Sequence, residues 1–288
     1  MGMLQPLNKV KYFISVFNAV LVLMAFFGLA SCQKVINIDL NTASPQLVVE
    51  ANVSDNPGPY FVKLSKTVSL SDITEIPPVT GANVEISDSL GNSETLVEVK
   101  DGIYQASTLQ GIPGHKYTLT ITADGQTYES VSKMPYPAGS LSLELKKVIE
   151  YEHSIGGNPG NPSLHYMVNF EINDPGEYNN YYRFVVYHRN RVISSRRVFD
   201  DQFHNGKIIA DDFLLRDTVN FYPFDTIRIE LQNIDKGTYN FFRTLREGAG
   251  GLSFLSASPS NPISNISNNG LGYFSACSVT KGFVVIPF

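Results

Sequence analysis

Between residues 46 and 135 apolar and polar positions alternate in short runs separated by turn residues. Leu47-Val48-Val49-Glu50 opens the first run, and Tyr60 to Leu64 forms the second. Val84 and Ile86 alternate with Asn83, Glu85 and Ser87, and Tyr117, Leu119 and Ile121 share one face opposite Lys116, Thr118, Thr120 and Thr122. A period of two sends successive side chains to opposite faces, which is the signature of half-buried strands. Pro57-Gly58-Pro59, Asp88-Ser89-Leu90-Gly91-Asn92, Pro113-Gly114 and Asp124-Gly125 supply the turns. Short strands at roughly ten-residue spacing predict a β-sandwich over 46–135.

Met134-Pro135-Tyr136-Pro137-Ala138-Gly139 reads as a linker, and a second β-rich domain is expected over 140–288. Leu141, Leu143 and Leu145 alternate with polar residues, as do Tyr166, Val168, Phe170 and Ile172. Tyr182 to His188 is apolar on both faces, as an interior strand is, and Ile227, Ile229 and Leu231 mark another strand. One short helix is predicted from about Lys236 to Glu247, capped by Asp235, with Tyr239, Phe242 and Leu245 on one face. The tail from Gly270 to Phe288 reads as two strands with a turn near Lys281-Gly282. The expected fold class is therefore mainly β, an Ig-like sandwich followed by a second β-rich domain with one helix.

The first 31 residues have a different pattern. Lys9 and Lys11 precede an apolar run from Tyr12 to Ala30, and Leu29-Ala30-Ser31-Cys32 closes it. Basic start, apolar middle and small residues at the cut describe a secretory signal. The closing tetrapeptide resembles the lipobox of bacterial lipoproteins. That resemblance implies cleavage after Ser31, lipid on the Cys32 sulfur and an acylated new amino terminus, so that palmitate-type chains hold the protein to a membrane. Residues 1–31 are then a signal peptide and 32–45 a tether. An uncleaved transmembrane helix is the competing reading, and the run is long enough for one. Gln33, in place of an Asp, is compatible with transfer to the outer membrane. Which side of that membrane the protein faces is open, because Gln33-Lys34-Val35-Ile36-Asn37 lacks the acidic run of many surface lipoproteins. With Cys32 acylated, Cys277 has no partner and is expected as a buried free thiol.

Pro78-Val79-Thr80-Gly81-Ala82-Asn83-Val84, Asp101-Gly102-Ile103-Tyr104 and Gly114-His115-Lys116-Tyr117-Thr118-Leu119 resemble the transthyretin-like or carboxypeptidase-regulatory-like sandwich, over residues 45–135. Such modules are extracytoplasmic scaffolds. The whole mature chain is similar to a family of Bacteroidota lipoproteins known as domain of unknown function 4249. The pieces are Ile38-Asp39-Leu40 after Cys32, Leu47-Val48-Val49-Glu50, Pro78 to Ala82, Phe203-His204-Asn205-Gly206-Lys207, Asn261-Pro262-Ile263-Ser264-Asn265-Ile266 and Gly270-Leu271-Gly272-Tyr273-Phe274-Ser275-Ala276. The resemblance implies an accessory role beside a TonB-dependent outer-membrane receptor.

Composition narrows the chemistry. The net charge is −5, and −7 once the leader with its two lysines is removed, which gives no electrostatic reason to bind nucleic acid. The sequence holds no G-x-S-x-G, H-E-x-x-H, paired C-x-x-C or phosphate-cradling glycine loop. No catalytic residue and no cofactor is assigned. Asp200, Asp201, Asp211 and Asp212 form the densest acidic cluster, a weak Ca²⁺ candidate beside the plainer reading of a solvated hairpin. Tyr178, Tyr181, Tyr182, Tyr187, Phe221, Tyr222 and Phe224 line either a ligand cleft or the core, and their strand periodicity favours the core. Ser89, Thr218 and Thr226 lie in Asp-Ser/Thr-aliphatic tripeptides that resemble Bacteroidota O-glycosylation sites. The segment from Asn261 to Ala276 reads as structural, with Asn265 contributing a hydrogen bond. The function expected from all this is a non-catalytic envelope lipoprotein that binds a partner or ligand; the alternative is an extracytoplasmic hydrolase acting on glycan or peptide.

Overall fold

The computed structural model describes residues 44–69, 75–153, 159–215, 220–249 and 261–288. Fifteen strands and one helix occur among them: β1 (Leu47–Ser54), β2 (Tyr60–Lys66), β3 (Asn83–Asp88), β4 (Ser93–Thr95), β5 (Val97–Lys100), β6 (Ile103–Ala106), β7 (Lys116–Ala123), β8 (Gln126–Lys133), β9 (Leu141–His153), β10 (Pro159–Asn173), β11 (Tyr181–His188), β12 (Arg191–Asp200), β13 (Ile208–Leu215), β14 (Thr226–Ile234), α1 (Lys236–Ala249) and β15 (Leu271–Val285). The leader, Cys32 and most of the tether lie outside the described residues, as does Thr218. The protein is mainly β, as its alternation predicts.

The strands form three sheets. The largest has eight strands in the order β12–β11–β14–β15–β1–β2–β6–β5; the others are β4–β3–β7–β8 and β13–β10–β9. Each small sheet covers part of one face of the large one. Val49, Val53, Leu64 and Tyr104 from the large sheet meet Val84, Ile86, Tyr117, Leu119 and Ile121 from the four-stranded sheet in one core. Tyr182, Phe184, Ile229 and Leu231 meet Val168, Phe170, Ile172 and Phe213 from the three-stranded sheet in a second core. The molecule is thus sandwich-like along its length, with one long wall common to both cores.

The boundary expected at residues 135–140 separates the two small sheets but not the large one. β15 pairs parallel with β1 from Leu271 to Cys277, and antiparallel with β14 from Ser278 to Val285. Phe274 and Ala276 enter the first core, whereas Val284 enters the second. Segments 46–135 and 140–288 therefore share a sheet, and residues 44–288 form one compact unit. The turn expected at Lys281-Gly282 does not exist, because β15 runs straight through it. Gly282 is a packing glycine: a Cβ there would lie 2.3 Å from Leu143 Cδ1. Gly272 has φ of +95°, and a Cβ on it would come within 1.9 Å of the Val49 carbonyl oxygen. Only glycine lets β15 approach β1 at that point.

Among the described residues no strand pairs with the first half of β15 on the side away from β1, and side chains take that strand's place. Ser264 Oγ donates to the Gly272 carbonyl at 3.0 Å, and Ser132 Oγ accepts from Ala276 N–H at 2.8 Å. Asn265 grips Phe274 at both ends: Nδ2 donates to its carbonyl at 2.8 Å and Oδ1 accepts its N–H at 3.0 Å. Buried backbone groups must be paired somewhere, and here turn residues pair them.

Helix α1 begins as predicted. Asp235 Oδ1 accepts the Thr238 N–H at 2.7 Å, and Oδ2 accepts from Ser132 Oγ at 2.5 Å, tying the cap to β8. Phe241 and Phe242 then pack with Ile234, Val198, Tyr273 and Cys277 in a third cluster, which roofs part of the large sheet's outer face.

Candidate functional site

Strand alternation builds the site. The residues of β1, β11, β14 and β15 that point away from the two main cores point to the outer face of the large sheet. Helix α1 covers one part of that face. Beside it lies an open cleft of about 500 Å³, lined by Glu50 and Asn52 of β1, Arg183 and Tyr187 of β11, Glu230 and Gln232 of β14, and Tyr273 and Lys281 of β15.

Arg183 is 6% exposed, and its position is fixed from three sides. Nε donates to the Ser195 carbonyl at 2.8 Å, and Nη1 donates to Gln232 Oε1 at 3.0 Å. The guanidinium lies 3.8 Å from the centre of the Phe242 ring, a cation–π contact with the helix. Burial pulls its pKa below the usual value, though a guanidinium stays protonated at neutral pH. Arg228 pairs with Glu230 at 2.6 Å and sits 3.9 Å over the Tyr187 ring. Burial, reinforced by Glu230, pushes the Tyr187 hydroxyl up to about 12, so it is a hydrogen-bond donor and not a base at neutral pH. Glu50 is paired with Lys63 at 2.9 Å. Asn52 Nδ2 donates to the Tyr273 hydroxyl at 3.3 Å, while Asn52 Oδ1 is buried without a partner. Cys277, on the cleft wall, is 1% exposed and its thiol is pushed up to about 12 by burial. It is inert as a nucleophile in that state.

The residues singled out from sequence go elsewhere. Asp200 Oδ2 accepts from the Tyr239 hydroxyl at 2.9 Å, Asp201 Oδ2 accepts from the Asn180 N–H at 2.8 Å, and Asp211 pairs with Arg197 at 2.7 Å. Asp212 is exposed on the outer face of β13. The four carboxylates do not converge, and no metal-competent cluster of three or more His, Cys, Asp or Glu occurs among the described residues. Ser89 is exposed in the β3–β4 turn, where Asp88 Oδ1 accepts the N–H groups of Leu90 and Asn92 at 2.9 Å. Thr226 is exposed at the start of β14. The aromatic residues divide. Tyr182 is fully buried, Phe221 packs edge-on to Tyr166, and Tyr222 and Phe224 are exposed. Tyr178 and Tyr181 line a separate groove of about 400 Å³ with Tyr136.

Arg183, Glu230 and Gln232 are absent from the sequence-derived candidates. Their signal is present all the same: a charged or amide residue within strands that are otherwise apolar. A buried charge is unusual without a reason, and here two of them lie beside a buried amide.

Fold and site together define a mainly β protein with a polar, partly roofed cleft on an open sheet face. Among the described residues no helix is long and apolar enough to cross a membrane. The chain belongs to the family described as Domain of unknown function (DUF4249), which matches residues 33–282. No curated protein matches it.

Proposed function

We propose that this chain is a non-catalytic, lipid-anchored lipoprotein of the bacterial outer membrane that binds through the cleft on its large sheet, as an accessory component of a TonB-dependent transport system. The observation that carries the binding reading is the state of the cleft's carboxylates. Glu50 and Glu230 are each tied to a cation, Lys63 and Arg228, so neither stands free as one of the two carboxylates that glycan hydrolysis needs. The acids of the three-stranded sheet argue likewise. Glu144 is held below its usual pKa by Lys146 at 3.0 Å, and Asp211 faces Arg197. Hydrolysis of glycan or peptide is the weaker reading for that reason. The leader and Leu29-Ala30-Ser31-Cys32 support the anchor, and the resemblance to Bacteroidota lipoproteins supports the receptor as partner. The transthyretin-like pattern over 45–135 supports a scaffold role for the first sandwich.

Two measurements test this. Labelled palmitate should enter the wild-type chain and not Cys32→Ser, which should accumulate as precursor; equal labelling overturns the anchor. Cross-linking in intact cells, followed by purification of the lipidated protein, should recover a TonB-dependent receptor, and a substitution at the cleft rim such as Lys281→Glu should reduce that recovery. Recovery without any such receptor, or turnover of a glycan or peptide by the purified protein, overturns the accessory role.

A further inference from the structure

We propose that the cleft takes an organic carboxylate, gripped by Arg183 at its floor and Lys281 at its rim. This rests on the cleft being a binding surface and adds the chemistry of what it binds. The charges on its walls are unevenly matched. Its two carboxylates already have cations, Lys63 for Glu50 and Arg228 for Glu230. Arg183 and Lys281 enter no ion pair among the described residues. Asp55 feels Lys281, but its Oδ1 accepts the Val279 N–H at 2.9 Å.

An almost buried guanidinium without a counter-charge is an unfavourable arrangement, and a ligand anion relieves it. Only neutral acceptors meet its Nε and Nη1, which leaves the charge itself unanswered. Phe242 clamps the plane of the group, so little side-chain entropy remains to be lost on binding. A planar carboxylate matches a planar fork with charge-assisted hydrogen bonds. Asn52, whose Oδ1 is buried without a partner, lines the same cleft. The volume of about 500 Å³ suits a short oligomer or a chain end. A peptide carboxyl terminus and an acidic sugar both carry this chemistry. The tyrosine groove holds only the exposed Lys133 and Lys236 and no buried cation, and Lys146 on the outer face of the three-stranded sheet is paired with Glu144.

Titration calorimetry on the detergent-solubilised full chain, with four probes, tests the assignment: trialanine, trialanine amide, trigalacturonate and its methyl ester. At least one free acid should bind, and its blocked counterpart should be weaker by about tenfold or more, the loss of a charged hydrogen bond. Trialanine binding identifies a peptide end and trigalacturonate an acidic sugar. Arg183→Met and the exposed Lys281→Gln should each weaken the free acid and leave the blocked form unchanged. Lys281→Gln keeps the test valid if Arg183→Met does not fold. Equal affinity for free and blocked probes, or wild-type affinity in Lys281→Gln and in folded Arg183→Met, overturns the assignment. Failure of both acids to bind at millimolar concentration overturns it too. If receptor recovery survives that failure, the accessory role stands; acid binding without receptor recovery has the opposite meaning.

Discussion

Replacing Asn265 by Ala should destabilise the protein well beyond what an exposed loop asparagine contributes. The sequence alone suggests one hydrogen bond for this residue, and the structure shows two, both to the backbone of Phe274. Phe274 is fully buried, so its N–H and carbonyl cannot turn to bulk water. Alanine leaves the N–H without its acceptor, at a cost of about 1–3 kcal/mol for a buried unsatisfied group. The carbonyl keeps a weak donor, Thr238 Oγ1 at 3.4 Å, so its loss is nearer the net value of about 1 kcal/mol for one bond. The total is about 2–4 kcal/mol. For a chain of this size each kcal/mol moves Tm by roughly 2–4 °C, which gives a fall of about 4–16 °C. Asn265→Asp sharpens the test. It is the same size and keeps the acceptor for the N–H, but it sets a second oxygen against the Phe274 carbonyl. It should therefore melt close to the alanine variant at neutral pH. Thermal melts by circular dichroism read both. An Ala variant within about 1 °C of wild type, or an Asp variant that melts like wild type, would refute the idea that this amide replaces a missing strand.

Phe274→Ala should cost about 3–5 kcal/mol in denaturant titration, as other large-to-small core changes do. Gly272→Ala places a methyl group against the Val49 carbonyl, backbone that cannot swing aside, and should cost at least the roughly 1–3 kcal/mol of an overpacked core; a normal melt would mean that the β1–β15 pairing is wrong. Cys277 should resist thiol reagents in the native protein and react fully after denaturation, because burial pushes its pKa up to about 12; rapid native labelling counts against its position. Asp225 is held down to about 2 by the Tyr222 N–H and then by His188 and Arg189. Its stabilisation is complete above the unfolded value of 3.8 and disappears as pH falls towards about 2, so Asp225→Asn should lower the urea midpoint at neutral pH and flatten its dependence across that window.

Local order was legible, and long-range partnership was not. Alternation located most strands because it records which face each residue shows, and that is decided by near neighbours. Asp235 announced α1 for the same reason, since a cap acts within a single turn. The pairing of β1 with β15 joins Val48 to Leu271 across most of the chain, and no local pattern encodes it. Its trace in the sequence is Gly272, whose need shows only once the Val49 carbonyl is placed against it. Gly282 misled for a related reason. A glycine after a lysine resembles a turn, yet this one makes room for Leu143 from another sheet.

The cleft was hidden by the same alternation that revealed the strands. In β11 and β14 the residues that face outward lie partly beneath α1, in the middle of the large sheet, so both faces read as interior and Arg183 and Glu230 pass for exceptions in apolar runs. Whether such an exception is a surface charge or a built site depends on what the neighbouring strands place next to it. Here β15 is the deciding element: its first half carries Tyr273 to the helix side of the cleft and its second half carries Lys281 to the rim. The strand that joins the two sandwiches is thus also the strand that assembles the site. Loss of the β1–β15 register should therefore remove carboxylate binding along with stability, whereas Asp225→Asn, outside the cleft lining, should reduce stability alone. Calorimetry on partially destabilised variants of both kinds, below their melting points, distinguishes the two outcomes. Retained acid binding in a folded Gly272→Ala protein would show that the site does not depend on the shared strand.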